Sequence, residues 1–215
     1  MFTGIIEQLG TISRLKISSA GGRLTVHAPA LAEKLVISAS IAVNGCCLTI
    51  VHHDHEHFSA DLSHETIAKT SFSFLRTGAR VNLEQPLTAG TEFGGHFVLG
   101  HVDITGRVAH LAPDGESWNF GVHIPAELAP YIVSKGSITI DGVSLTVARW
   151  QNDIAEIAVI PYTYQHTNIA DRAVGDAVNL EADILGKYIE RYVARRQAAP
   201  SQSSLRIEDL VGQGF

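Results

Sequence analysis

Hydrophobic and polar positions alternate over short stretches through most of this chain, and glycine, proline or Asn-Gly pairs interrupt them every few residues. Alternation of period two marks half-buried strands. Thr3 to Leu15 reads as a strand starting close to residue 3, with Gly10 as a bulge or bend. Gly21-Gly22 is a turn, and Arg23 to His27 the next strand. Pro29 opens a short helix through Leu35, because its missing N–H is unneeded at a helix start. Ser40 to Val43 and Cys46 to His52 flank Asn44-Gly45, a two-residue hairpin signal. Phe58 to Leu62 and Ala79 to Glu84 are further strands, with an irregular or helical piece ending at Leu75 between them.

The pattern then restarts. Gln85 to Gly95 is a glycine- and proline-rich connection, after which the first landmarks return in order. Gly100-His101-Val102 lies over Gly4-Ile5-Ile6, and Val122-His123-Ile124-Pro125 over Val26-His27-Ala28-Pro29. Asp141-Gly142-Val143-Ser144-Leu145-Thr146 lies over Asn44-Gly45-Cys46-Cys47-Leu48-Thr49, and Val178-Asn179-Leu180-Glu181 over Val81-Asn82-Leu83-Glu84. Two copies are too few for a solenoid. A unit of about six short strands closes its edges as a small barrel or sandwich. The expected fold is all-β: two tandem six-stranded antiparallel Greek-key barrels, residues 1–90 and 91–184. From Leu185 the apolar residues Leu185, Tyr188, Ile189 and Tyr192 follow helical spacing, so a C-terminal helix is expected over 185–198. Its stripe suits packing on its own barrel or a subunit interface equally well. Residues 199–215 read as a mobile tail.

Composition narrows the function classes. The net charge of −6 and the lack of a basic stripe argue against nucleic acid. No apolar run approaches the roughly 20 residues needed to span a bilayer, and the start lacks a signal peptide's pattern, so a cytoplasmic home is expected. The two cysteines, Cys46 and Cys47, are neighbours and cannot staple the fold; free thiols are the plain reading. Alternation places them on opposite faces, with Cys46 inward as a small hydrophobe. His52-His53-Asp54-His55-Glu56-His57 occupies a strand–strand turn and reads as a solvated hairpin tip rather than a metal site. Gly94-Gly95 does not form a dinucleotide fingerprint.

The duplication differs where chemistry would sit. Cys47 faces Ser144, Asn44 faces Asp141, and Ile5 faces His101. A shared scaffold with changed reactive groups suits a reaction between two copies of one substrate, although drift after duplication leaves the same trace.

At these residues the chain resembles the alpha-type riboflavin synthase family, built from two lumazine-binding repeats. Met1-Phe2-Thr3-Gly4-Ile5, Asn44 to Thr49, Phe93-Gly94-Gly95-His96 with Gly100-His101, Asp141 to Thr146, and Val178 to Glu181 with Asp183 carry the resemblance, which runs to about residue 197. It implies dismutation of two molecules of 6,7-dimethyl-8-ribityllumazine to riboflavin and a ribitylamino-pyrimidinedione, with no metal and no cofactor. It implies a homotrimer with active sites between subunits, and it moves the terminal helix toward an interface role. By the same resemblance, Ser40, Cys47, His101 and Ser144 surround the reacting carbons, with His96 as a further candidate. The first barrel's ligand would contact Gly4, Ile5, Ile6, Cys47, Leu48, Thr49, Asp61, Leu62, Ser63, His64, Glu65 and Thr66. The second barrel's would contact Gly100, His101, Val102, Lys135, Ser144, Leu145, Thr146, Val159, Ile160, Pro161, Tyr162, Thr163 and Tyr164. Asp141 and Asp183 would lie nearby. Glu65 has Tyr162 as its counterpart, so ribityl recognition differs between barrels. A non-catalytic lumazine- or flavin-binding antenna is the alternative, and a duplicated protein-interaction module a third reading.

Overall fold

Asn44 and Asp141 both sit in the left-handed region (φ 45° and 46°), each followed by a glycine of positive φ. Two successive positive φ values make the tight turn whose twist matches antiparallel strands. Each turn therefore forces the chain back on itself, pairing Val43 with Cys46 and Ile140 with Val143. The computed structural model describes residues 1–198 apart from 19 and 91, without the side chains of 197 and 198. The expected 199–215 tail lies outside the described residues.

The first repeat contains β1 (Gln8–Ser18), β2 (Gly21–His27), β3 (Ser40–Val43), β4 (Cys46–His53), β5 (His57–Leu62) and β6 (Arg80–Glu84). They close in the order β1-β2-β5-β4-β3-β6, so no edge is left to solvent. The second repeat contains β7 (Ile104–Asp114), β8 (Ser117–His123), β9 (Ser137–Ile140), β10 (Val143–Thr146), β11 (Arg149–Gln151), β12 (Ile154–Val159) and β13 (Ala177–Ala182). Its order, β10-β9-β13-β7-β8-β12-β11, starts and ends on the two halves of one chain path. That path is the counterpart of β4, broken at Val147 and Ala148. The break explains seven segments where six were expected. Val147 N–H still donates to Gly136 O (3.0 Å), and Ala148 N–H to Glu156 O (2.7 Å). Short helices α1 (Pro29–Ala32), α2 (His64–Lys69) and α3 (Pro161–His166) cap the barrels.

Each barrel fills with its own apolar side chains. Phe58, Phe72, Ile41 and Leu83 are among those sealed inside the first, and Phe120, Ile138, Ile157 and Leu180 inside the second. Burying one such side chain contributes about 1.5–3 kcal/mol.

Three expectations need correction. The first strand begins at Gln8, because residues 2–4 bond to His96, Val98, Ser144 and Glu84 rather than along the β1 ladder. Gly10 is not a bulge: a Cβ there would lie 2.6 Å from Val26 and 2.7 Å from Leu83, while the register shift falls between Ile12 and Arg14. The helix at Pro29 ends at Ala32, short of Leu35.

Residues Met1–Ile184 hold both barrels as one unit. Where the barrels meet, amides replace hydrocarbon. Asn82 donates to Asp141 O and Asn179 donates to Asn44 O, at 2.9 and 2.8 Å. Gly45 and Gly142 abut so closely that a Cβ on either would lie under 3 Å from the other's backbone. Asp141 also meets Arg172, a buried ion pair whose counterparts in the first repeat are Asn44 and Leu75. Helix α4 (Ile184–Ala198) leaves Leu185, Tyr188, Ile189 and Tyr192 exposed along one stripe.

Candidate active site

The site is built by an exchange between the repeats. Phe2 and Val98 trade N–H···O bonds in both directions, at 2.7 and 3.2 Å. Beyond that bridge each chain segment is gripped by a buried carboxylate at the end of its own repeat. Glu84 accepts from Thr3 N–H (2.6 Å), Thr3 Oγ1–H (2.7 Å) and Gly4 N–H (3.0 Å). Glu181 accepts from Leu99 N–H (2.7 Å) and Gly100 N–H (3.0 Å). Burial pushes the Glu84 carboxyl above the usual range, against the pull of its three donors.

So gripped, each segment reaches the opposite barrel. Gly4 O accepts from Ser144 N–H, and Gly100 O accepts from Cys47 N–H, both at 2.8 Å. Ile6 packs on the second core and Val102 on the first. The expected grouping is thus crossed in space for Gly4 and Ile6, which adjoin the second barrel, and for Gly100, His101 and Val102, which adjoin the first, whereas Ile5 lines a cavity with Lys34, Leu35 and Ser40 of the first. Both glycines have positive φ (79° and 76°), and a Cβ on either would lie 2.7 Å from Cβ of Ser144 or Cys47.

Around Cys47 lies a cavity of about 240 Å³, lined by Ser63, Glu65, Thr66, Lys69, Gly100, His101 and Val102 among others. Ser63 caps α2, accepting from Thr66 N–H, which leaves Glu65 exposed at the helix start. Cys47 is half-buried beside the apolar group Phe2, Ala42 and Val98. Its neighbour Cys46 points inward, and burial pushes that thiol up to about 12, leaving it inert at neutral pH. Thr49 is exposed and Leu48 belongs to the core. Asp61 is held by a two-pronged bond to Arg23, and Leu62 is buried. His64 is exposed.

Ser144 has different company. His96 Nδ1 lies 2.7 Å from Ser144 Oγ, and His96 Nε2 lies 3.2 Å from Thr139 Oγ1. Burial lowers the His96 pKa, the nearby Asp183 charge opposing, so the ring favours its neutral form. Gly95 permits this placement: a Cβ there would sit 1.9 Å from Thr3 O. Thr146, Ile160, Pro161 and Tyr162 are exposed, whereas Thr163 and Tyr164 are partly covered, the latter stacked on Trp118 at 3.8 Å. Val159 is a core residue and Leu145 packs against the same core. Lys135 takes a positive φ of 69°, opposite the break in the strand.

Two sequence-derived candidates stand apart from these groups. Ser40 lines a different cavity of about 570 Å³, with Thr3, Ile5, Glu84 and Gly94. Asp141 is sealed, its carboxylate engaged by Asn179 N–H, Asn168 and Arg172. Sequence reasoning passed over Thr139, Glu84 and Glu181 as site components. Aligning the copies would have flagged Thr139, since its counterpart is Ala42.

Fold and site together define a duplicated lumazine-binding protein. The lumazine binding domain matches twice, over residues 3–86 and 99–183. Riboflavin synthase of Actinobacillus pleuropneumoniae is 39% identical over 215 residues, all of both chains. That of Bacillus subtilis is 37% identical over 215 residues, again all of both. That of Mycobacterium tuberculosis is 42% identical over 196 residues, 89% of this chain and 97% of that one. Among solved structures, LumP complexed with riboflavin superposes with a TM-score of 0.79 at 27% identity, covering 85% of this chain and 99% of that one. The chain belongs to the riboflavin synthase family.

Proposed function

We propose that the protein is a transferase that dismutates two molecules of 6,7-dimethyl-8-ribityllumazine, passing a four-carbon unit from one to the other. The products are riboflavin and 5-amino-6-(D-ribitylamino)uracil. The observation that carries this reading is the pair of crossed segments in one chain, alike in backbone bonding and unlike in side chains. One meets Cys47 beside Ala42, and the other Ser144 beside Thr139 and His96.

The lumazine ring is electron-poor, so its C7 methyl is acidic and loses a proton to give a delocalised anion. A second ring accepts attack at C7. Holding the two rings together supplies most of the acceleration, up to about 7–11 kcal/mol in favourable cases. Proton transfer by positioned groups adds typically about 10²–10⁴-fold. His101 and Cys47 serve the ligand of the first barrel, where Ser63, Glu65 and Thr66 meet ribityl hydroxyls. Ser144, His96, Gly4 and Ile6 serve the ligand of the second, with Thr146 and Thr163 on its ribityl chain. Ser40, on the other cavity, would join a site completed by a neighbouring subunit. The assembly is a homotrimer joined through the exposed stripe of α4, and the enzyme works in the cytoplasm.

The test is turnover. Purified protein mixed with dimethylribityllumazine should generate riboflavin absorbance. Lumazine that stays bound and unchanged would leave the antenna reading in its place.

A further inference from the structure

Thr139 belongs to no ligand-facing segment, yet it sits directly opposite Ser144 in the β9–β10 pairing, and the His96 ring spans the two hydroxyls. The corresponding pair in the first repeat is Ala42 opposite Cys47, and an alanine has no hydroxyl with which to orient an imidazole. The two polar side chains occur together in one copy and are replaced together in the other.

The bonding of Thr139 decides which way His96 points its proton. Thr139 is 1% exposed, and His96 is the hydrogen-bond partner of its side chain. A buried hydroxyl that only accepted would leave its own proton unpaired, which is costly. Satisfied, Thr139 Oγ1–H donates to His96 Nε2. Burial keeps the ring neutral, so its single proton is then on Nδ1 and is donated to Ser144 Oγ. Ser144 accepts from the histidine and keeps its own O–H to give.

We propose that Thr139 is a positioning residue that locks His96 in the Nδ1–H tautomer, making Ser144 a hydrogen-bond and proton donor toward the second barrel's ligand rather than a base-activated nucleophile. This rests on the proposed dismutation for its consequence, but not for its tautomer. The chain Thr139 to His96 to Ser144 directs donors toward the site. It supports negative charge developing on a ring heteroatom of the ligand, and the Cys47 pocket has no equivalent.

Long-range proton–nitrogen correlation spectra of the ligand-free protein test the tautomer, with His96→Gln assigning the ring signals. The wild type and Thr139→Ser should both show the proton on Nδ1. Thr139→Val, nearly isosteric, should shift the ring toward the Nε2–H form. With turnover, Thr139→Val should lose roughly ten-fold in kcat, the size expected of one lost hydrogen bond, with KM little changed. Thr139→Ser should restore it. A wild-type ring protonated on Nε2, or a Thr139→Val protein that keeps the wild-type tautomer, overturns the proposal. Should the valine variant not fold, the wild-type spectrum still decides. Absence of riboflavin formation with an Nδ1–H ring would instead count against the dismutation.

Discussion

Substituting Gly4 or Gly100 tests the crossing of the two N-terminal segments. In Gly100→Ala the new methyl would lie 2.7 Å from Cys47 Cβ and 3.0 Å from both Cys47 N and the Phe2 ring. In Gly4→Ala it would lie 2.7 Å from Ser144 Cβ and 2.8 Å from Ser144 N. A left-handed conformation costs an alanine about 1–2 kcal/mol. Overpacking adds about 1–3 kcal/mol, for a total of roughly 2–5 kcal/mol per variant. For a chain of this size that lowers Tm by roughly 4–20 °C. The discriminating assay is alkylation of Cys47, the half-buried thiol, since Cys46 is buried and its pKa stands at about 12. Gly100→Ala should loosen the segment over Cys47 and speed its labelling by up to about 30-fold if some 2 kcal/mol of local stability is lost. Gly4→Ala, acting at the other barrel, should leave the labelling rate close to wild type at temperatures well below melting. Faster labelling in Gly4→Ala and none in Gly100→Ala would refute the crossed arrangement.

Other outcomes follow from the same geometry. Asp141→Ala strands the buried Arg172 charge and should cost about 3–5 kcal/mol in denaturant unfolding, whereas Asp141→Asn with Arg172→Leu installs the Asn44 and Leu75 solution of the first repeat and should recover most of it. Asp171→Ala removes the exposed partner of Arg80 and should cost no more than about 1 kcal/mol. The lowered His96 pKa contributes stability present above the ordinary histidine value of about 6.5 and lost as pH falls through the folded value, so His96→Asn should flatten the stability–pH curve below that point. Truncation after residue 184 should convert the proposed trimer to smaller species by light scattering; an unchanged trimer would take α4 out of that role.

Duplication, hairpin turns and strand alternation were legible because they are local: Asn44-Gly45 and Asp141-Gly142 dictate positive φ whatever surrounds them. The offset between repeats likewise aligned Cys47 with Ser144. What stayed hidden depends on contacts between distant residues. Nothing in Thr-Gly-Ile says that Gly4 will bond to Ser144, because the grip of Glu84 and the bridge from Phe2 to Val98 exist only once both barrels have formed. The same reason hid the Arg172 ion pair of Asp141, since that residue's burial is decided by the packing of the two repeats. Thr139 lay between two isoleucines in a short strand, and only comparison with Ala42 marks it.

A mass balance of the reaction tests the central claim most directly. Dimethylribityllumazine incubated with the purified protein, separated by chromatography and quantified, should disappear at two molecules for each riboflavin formed, with one ribitylamino-pyrimidinedione released. Riboflavin absent from a sample in which the lumazine is bound and recovered intact would contradict the account.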